Sequence, residues 1–480
     1  MSTKDMLVSE LHEFRDGKST SQPPKIEDPF LINVEDYRRL EKKLIRKLDL
    51  TLIPMVWILY LFNYLDRNNI AQTKLNSFEK DLGLKGYQYN TAISILNVGY
   101  MLMQLPSDMI LTRVRPSLLI PFWVLVWSCI SASTAAASNY THLIVIQFFL
   151  GIAEAPFFPG VFYLLSCWYT RKELGLRTAF LYSGLVLATA FSGLIAAGVF
   201  SELEEYLGHA GLRWLFIIEG VASFAFGIVA MFLLPDCPES STGSTKWLLN
   251  KEERLVAMER MKRDRVSNTE EGKGSVWRGL KLACMDFKTW IFVVMLIANH
   301  TAYGFNYFYP SIVKGFNLGS TTITLVLTSP PYLLATISSM LFAYSSDRRG
   351  EPSFLFICGC ISANAMVFSW ASSSLSETPE KRAAATAMIN LLSQLGNIWS
   401  PYFFRPQDST RYLLAMLLMM AFSLLGVGRC ILMKMVLVRE NRKIVEEFEG
   451  SDERPNLYSG EVYAMDLQSI EDKRSVTSSR

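Results

Sequence analysis

The stretch THLIVIQFFLGIAEAPFFPGVFYLLSCWY, Thr141 to Tyr169, holds one ionisable residue in its middle, Glu154. The stretch is long enough to cross a bilayer as a helix, at about 20 residues per span. A carboxyl at that depth costs about 2.5–3.5 kcal/mol on insertion scales, so Glu154 must face protein or a water-filled cavity. Gly151, Pro156, Pro159 and Gly160 loosen the helix beside it. Two readings follow: a packing carboxyl bonded to a neighbouring helix, or a carboxylate that handles protons or substrate. A buried carboxyl suits the second role, because desolvation lets it exchange a proton near neutral pH. Asp66 and Arg67 are adjacent at the end of an earlier apolar block, so on a helix they point about 100° apart. By depth alone they are an interfacial pair or a buried functional one. Asn63 and Asn69 flank them, either as ligands or as helix-to-helix hydrogen bonds.

Further along, Asn299, His300, Tyr303, Asn306 and Tyr307 recur at helical spacing, with 299, 303 and 306 on one face. They suit a cavity for a small planar anion or a packed contact, and His300 is a candidate proton relay. Asn390, Gln394 and Asn397 make a second polar stripe. Phosphate loops, paired metal ligands and Ser/His/Asp sets with a plausible context are lacking. The chain is therefore expected not to be an enzyme, to need no cofactor or metal, and to bind no nucleic acid.

The elements that position these residues are membrane helices. Of 480 residues, 50% are hydrophobic and 19% charged. The apolar residues come in blocks of about 20, which marks an all-α polytopic membrane protein. Its partner is the lipid bilayer, and its seven cysteines are scattered without a framework. Residues 1–48 read as a cytoplasmic tail whose basic second half, EDYRRLEKKLIRKLDL, lies along the membrane as a short helix. No early apolar core marks a signal peptide, so the first span acts as the targeting signal. Residues 49–235 hold six spans, with Gly184, Gly193 and Gly198 as close-approach positions in the fifth. The sixth begins RWLFIIEG, which puts Arg213 and Glu219 near one end. Residues 236–288 form a polar linker, and 289–437 a second bundle. Its apolar blocks are Trp290–Ile312, Thr324–Tyr344, Pro352–Ser372, Ala384–Phe404 and Tyr412–Leu437. Residues 438–480 read as a disordered cytoplasmic tail. Lys and Arg gather in the N-tail, at Arg113/Arg115, at Arg171/Lys172/Arg177 and in the linker, which places these segments in the cytoplasm.

YLDRNNIAQ closing span one, GIAEAPFFPG in span four and RWLFIIEG opening span six together resemble the major facilitator superfamily. Within it the chain is similar to the fungal anion:cation symporter branch of allantoate, nicotinate and pantothenate permeases. FNYFYPSIV, TSPPYL, SSDRRGE, EKRAAATAMIN and RPQDSTRY carry the same likeness, over about residues 45–450. The resemblance implies a two-bundle fold and proton-coupled import of a small organic anion across the plasma membrane, by a monomer. It implies substrate binding by Arg67 and proton coupling by Asp66 and Glu154. The polar residues Asn63, Asn69, Gln147, Asn299, Tyr303, Asn306 and Asn390 join Arg67 as substrate-binding candidates, and His300 joins the carboxyls as a proton-coupling one.

Two departures stand out. Members of the branch commonly carry Arg seven residues before the span-four Glu, and here that residue is Gln147, which cannot make a bidentate charged contact. Twelve spans are expected for two six-helix halves, and about 11 (6 + 5) are legible, with the ninth of the family missing between about Arg349 and Pro352. The basic pairs Arg348/Arg349 and Lys381/Arg382 flank one block, 352–372, and a single helix cannot place both its ends inside. The expectation is that this Ser-diluted block is tilted, re-entrant or poorly inserted, and that the last two helices keep their orientation. The alternative function is a non-transporting sensor or an inactive product.

Overall fold

The computed structural model describes residues 34–76, 78–111, 114–208, 210–239, 248–266, 276–338, 367–368, 370–371, 374–375, 379–408 and 412–447. Arg113 and the block 352–366 lie outside them. The first half comprises α1 (Val34–Thr73), α2 (Gln88–Leu111), α3 (Pro116–Ser133), α4 (Tyr140–Glu154), α5 (Phe157–Trp168), α6 (Arg171–Glu202) and α7 (Gly211–Leu233). α8 (Lys251–Val266) and α9 (Val276–Met285) lie in the linker. The second half holds α10 (Phe287–Tyr303), α11 (Tyr309–Gly315), α12 (Thr321–Leu327), α13 (Pro379–Ser393), α14 (Leu395–Trp399) and α15 (Leu413–Glu447). Among the described residues, 6 helical segments are long and apolar enough to cross a membrane, and they include Asp36–Thr73, Tyr140–Trp168 and Leu413–Lys443. Large apolar side chains such as Leu102, Met109 and Phe232 stay exposed on their outer faces, as a lipid solvent demands.

α1 corrects the reading of the tail. Among the described residues, the basic segment is not a separate surface helix but is continuous with the first span, in one 40-residue helix from Val34 to Thr73. The reason is the spacing of Leu44, Leu48 and Leu52, which fall on one face at four-residue intervals and are all fully buried. The far end of the chain differs likewise, since α15 continues past residue 438 to Glu447. Good helix formers without Gly or Pro occupy those positions. Of the three glycines expected at helix contacts, Gly184 meets Trp57 and Gly193 meets Thr328, whereas Gly198 faces open space.

The two ends of the bundle differ. At one end, here the linker end, α8 packs on α1. Glu253 pairs with Lys43 at 3.4 Å and Lys47 at 3.1 Å. Arg260 pairs with Glu41 at 3.0 Å and also with Glu173. Arg177 grips Asp49 with two 2.8 Å bonds and lies over the Tyr169 ring. At the same end of the second half, Lys381 pairs with Asp286 at 2.6 Å and Lys288 with Glu440 at 3.1 Å. The start of α13 and the end of α15 therefore both lie there, so the last two helices are not inverted. Val367, Phe368, Trp370 and Ala371, the described part of the 352–372 block, pack near the same end with Ile291 and Phe292.

At the far end the halves are fastened together. Asn90 donates to the Pro401 and Phe404 carbonyls at 2.7 and 3.0 Å, and Ser94 to Ile398 at 2.7 Å. Ser329 donates to the Ala190 carbonyl at 2.7 Å. Tyr89 meets Phe308 edge-on, and Phe308 stacks on Phe404 with centroids 4.1 Å apart. This state is closed at the far end.

Candidate functional site

Glu154 ends α4. Ala155 and Pro156 separate it from α5, and Pro159 has no amide with which to continue the helical ladder. The break leaves the Glu154 side chain 1% exposed at a point where α4 and α2 touch backbone to backbone. Gly99 of α2 lies on the Phe148 carbonyl, and Gly151 of α4 on the Leu96 carbonyl. Only residues without a Cβ allow that approach. It brings Tyr100 of α2 and Glu154 of α4 to the same place.

Arg67 of α1 completes the pair. Its Nε donates to Glu154 Oε2 at 2.5 Å, a charge-assisted bond in a nearly dry setting. The Arg67 side chain is 11% exposed. Its guanidinium lies over the Tyr64 ring at 5.3 Å and the Tyr100 ring at 4.8 Å, contacts worth about 0.5–2 kcal/mol each. Tyr307 of the second half faces the same guanidinium and lies beside Asn97. Asn63 sits one turn before Arg67, next to Glu154. Asn63 Nδ2 and Glu154 Oε1 are both buried, and the amide of Asn63 is directed at the Glu154 carboxylate.

Asp66 points elsewhere, into the first half between α3 and α7. Ser131 donates to its Oδ1 at 2.7 Å and Ser223 to its Oδ2 at 3.5 Å. Asn69 donates to Glu219 Oε2 at 2.6 Å, so its amide knits α1 to α7 and does not reach Arg67. Gln147 is buried in α4, two turns before Glu154. The expected polar residues of α10 divide. Tyr303 lies beside Thr189 of α6, across the interface between the halves. Asn306 accepts from the Tyr332 hydroxyl at 2.7 Å. Asn299 and Tyr303 line a crevice of about 320 Å³ against Met416 and Met419 of α15. His300 is directed into the contact between α10 and α13, where Nδ1 donates to the Ser393 carbonyl at 3.0 Å. A carbonyl only accepts, so Nδ1 carries the proton. Asn390 is half-buried on α13, and its carbonyl accepts from Ser393. The structure thus brings Arg67, Asn63 and Glu154 together, adds Tyr64, Tyr100 and Tyr307, and leaves His300, Asn69 and Asn390 apart from them.

Sequence reasoning missed Tyr64 and Tyr100, whereas Tyr307 stood among the polar residues it named in the second half. Glu219, two turns from the start of α7, is 2% exposed and close enough to Asp66 to interact electrostatically. Tyr64 had a signal, the turn before Arg67 on the same helix; Tyr100 and Tyr307 come from distant segments.

Residues 56–401 match the Major Facilitator Superfamily. An MFS-type transporter, cnsO, of Penicillium expansum is 33% identical over 74% of this chain and 75% of its own length. A putative tartrate transporter of Agrobacterium vitis is 27% identical, over 68% of this chain and 70% of its own. Among solved structures, a D-xylose-proton symporter superposes with a TM-score of 0.58 over 80% of this chain and 96% of its own, at 13% identity, a likeness of fold. The chain belongs to the major facilitator superfamily of membrane transporters, with its two-bundle all-α fold.

Proposed function

We propose that the protein imports a small organic anion together with protons, by alternating access across the plasma membrane, with the linker end in the cytoplasm. The observation that carries this reading is the buried Arg67–Glu154 pair between aromatic rings of both halves. Arg67 can bind one carboxylate well. When a substrate carboxylate takes the guanidinium, Glu154 is left buried without its counter-charge, a loss of about 3–5 kcal/mol for broken buried pairs. Taking up a proton removes that cost, so anion binding and protonation favour one another. Asn63 supplies an amide beside the carboxylate, and the Tyr64 and Tyr100 rings suit a flat substrate. Gln147, where the resembling branch has Arg, leaves Arg67 as the cation facing Glu154 among the described residues. The tartrate carrier named above agrees with an organic anion as cargo.

The test is uptake of radiolabelled carboxylates by cells expressing the chain, with and without a proton uncoupler. Uptake that the uncoupler abolishes is expected. Glu154→Gln should lose proton-driven accumulation yet retain exchange of internal for external substrate. Unchanged accumulation and pH dependence in that variant would make Glu154 a packing residue.

A further inference from the structure

Beyond the central pair, the far end carries a second group of cations that the transport reading does not use. A cavity of about 290 Å³ lies there between the halves, at the small end of ligand sites, lined by Lys74, Ser311, Lys314, Asn317 and Tyr412. Lys74 follows directly on α1 in the first half, and Lys314 belongs to α11 in the second. Lys314 Nζ donates to the Leu75 carbonyl at 2.7 Å, so it is one of the bonds that fasten the halves. Lys74 Nζ lies 3.4 Å from Glu79 and 4.0 and 4.9 Å from the Tyr89 and Phe308 ring centres, inside the aromatic closure.

Neither ammonium is well served. Lys314 has three N–H donors and a neutral carbonyl as its acceptor. Lys74 keeps 15% of its side chain exposed and pairs with a carboxylate that is itself 44% exposed, a weak contact. Burial pushes the Lys74 ammonium below the usual lysine range, with Glu79 offsetting part of that. Two cations from opposite halves, facing one small cavity, are under-neutralised.

We propose that this cavity is the reception site for a small carboxylate arriving at the far end, and that the anion's contacts to Lys74 and Lys314 unfasten the closure. The bound anion takes Lys314 from the Leu75 carbonyl and draws Lys74 away from the Tyr89 and Phe308 rings. Each exchange replaces a neutral partner by an ionised one, and both loosen bonds that hold the halves together. The proposal rests on the anion-import reading for the identity of its ligand and for the outward position of the far end. It names a separate place, with its own residues.

The test uses the full chain with Ser311→Cys, held in nanodiscs of phosphatidylcholine. The labelling rates of this thiol by an anionic and by a cationic methanethiosulfonate are compared, with the parent chain as background. The ratio should favour the anionic reagent and fall on the order of thirtyfold when Lys314→Gln is added, because a unit charge at 4 Å in water-like surroundings changes each rate by about fivefold and in opposite senses. Lys314→Arg should preserve it. Lys314 is exposed, so neither variant threatens folding. Benzoate should slow the labelling, and benzamide, of the same shape without charge, should not. A ratio unmoved by Lys314→Gln, or equal protection by both compounds, overturns the proposal. Protection by added phosphatidylserine but not by benzoate would assign the site to lipid headgroups and overturn it as well. Labelling needs no transport, so a chain carrying Glu154→Gln should behave identically. Failure here and failure of proton coupling are thereby told apart.

Discussion

Arg67 is held by three contacts at once: a charged bond to Glu154, and the faces of Tyr64 and Tyr100. A planar guanidinium serves all three, because it can stack flat and still point N–H groups at a carboxylate. An ammonium cannot. Arg67→Lys is therefore expected to cut carboxylate uptake on the order of ten- to hundredfold, corresponding to about 1.5–3 kcal/mol for a charged hydrogen bond. The check is apparent affinity and maximal rate in expressing cells at matched surface levels. Normal affinity in the Lys variant would reduce Arg67 to a membrane-depth anchor. The neighbouring Asp66 differs in its partners, which are the hydroxyls of Ser131 and Ser223.

Among the elements, the α2–α4 contact decides the site's geometry. A Cβ added at Gly151 would collide with the Leu96 carbonyl, which is backbone and cannot swing aside. Gly151→Ala is expected to force the two helices apart, at about 1–3 kcal/mol, the usual cost of overpacking. The melting temperature in detergent should fall, and uptake should fall further than stability, because Tyr100 and Glu154 move with their helices. Retained uptake at a lowered melting temperature would show that the pair tolerates separation. The linker helix α8 offers a second test. Burial would raise the Glu253 carboxyl, but the Asn250 amide and the Lys47 and Lys43 ammonium groups outweigh it and hold the carboxyl below its usual range. A carboxyl lowered in the folded state stabilises above its unfolded pKa and loses that contribution as pH falls through the folded value. Hydrogen-exchange protection of residues 251–266 should thus be steady from neutral pH to about 5 and decline below about 4. Glu253→Gln should remove this pH dependence; a decline of equal size in that variant would assign it to other groups.

For the molecule as a whole, the ends of the second half bear on its insertion. Lys288–Glu440 and Lys381–Asp286 put the beginning of α10, the start of α13 and the end of α15 at the linker end. With Arg439, Arg442 and Lys443 beside them, an anionic inner leaflet favours that side by roughly a kcal/mol per charge. An epitope on the tail after Glu447 is therefore expected to stay hidden from antibody on intact cells and to appear on permeabilisation. Staining of intact cells would mean that 352–372 crosses the membrane and inverts the last two helices.

Much of this protein was legible in one dimension. Blocks of apolar residues about as long as a bilayer is thick dictate helices, since lipid offers the backbone no partner. The position of Glu154 within such a block marked it as a candidate for function, and GIAEAPFFPG marked the break in the helix beside it. Spacing along a helix could say that Asp66 and Arg67 diverge, but not which of them meets Glu154. That choice was made by neighbours 65 to 157 positions away, Glu154 against Arg67 and Ser131 and Ser223 against Asp66. The same holds for Asn69, read as a possible ligand and spent on Glu219, and for His300, turned to the Ser393 carbonyl. Lys74 and Lys314 look like unrelated loop charges until the halves close and bring both to one cavity. Local sequence determines which face of a helix a residue occupies, because that is a matter of periodicity. Only tertiary packing decides what the face meets, because the partners' separation in sequence carries no period to read.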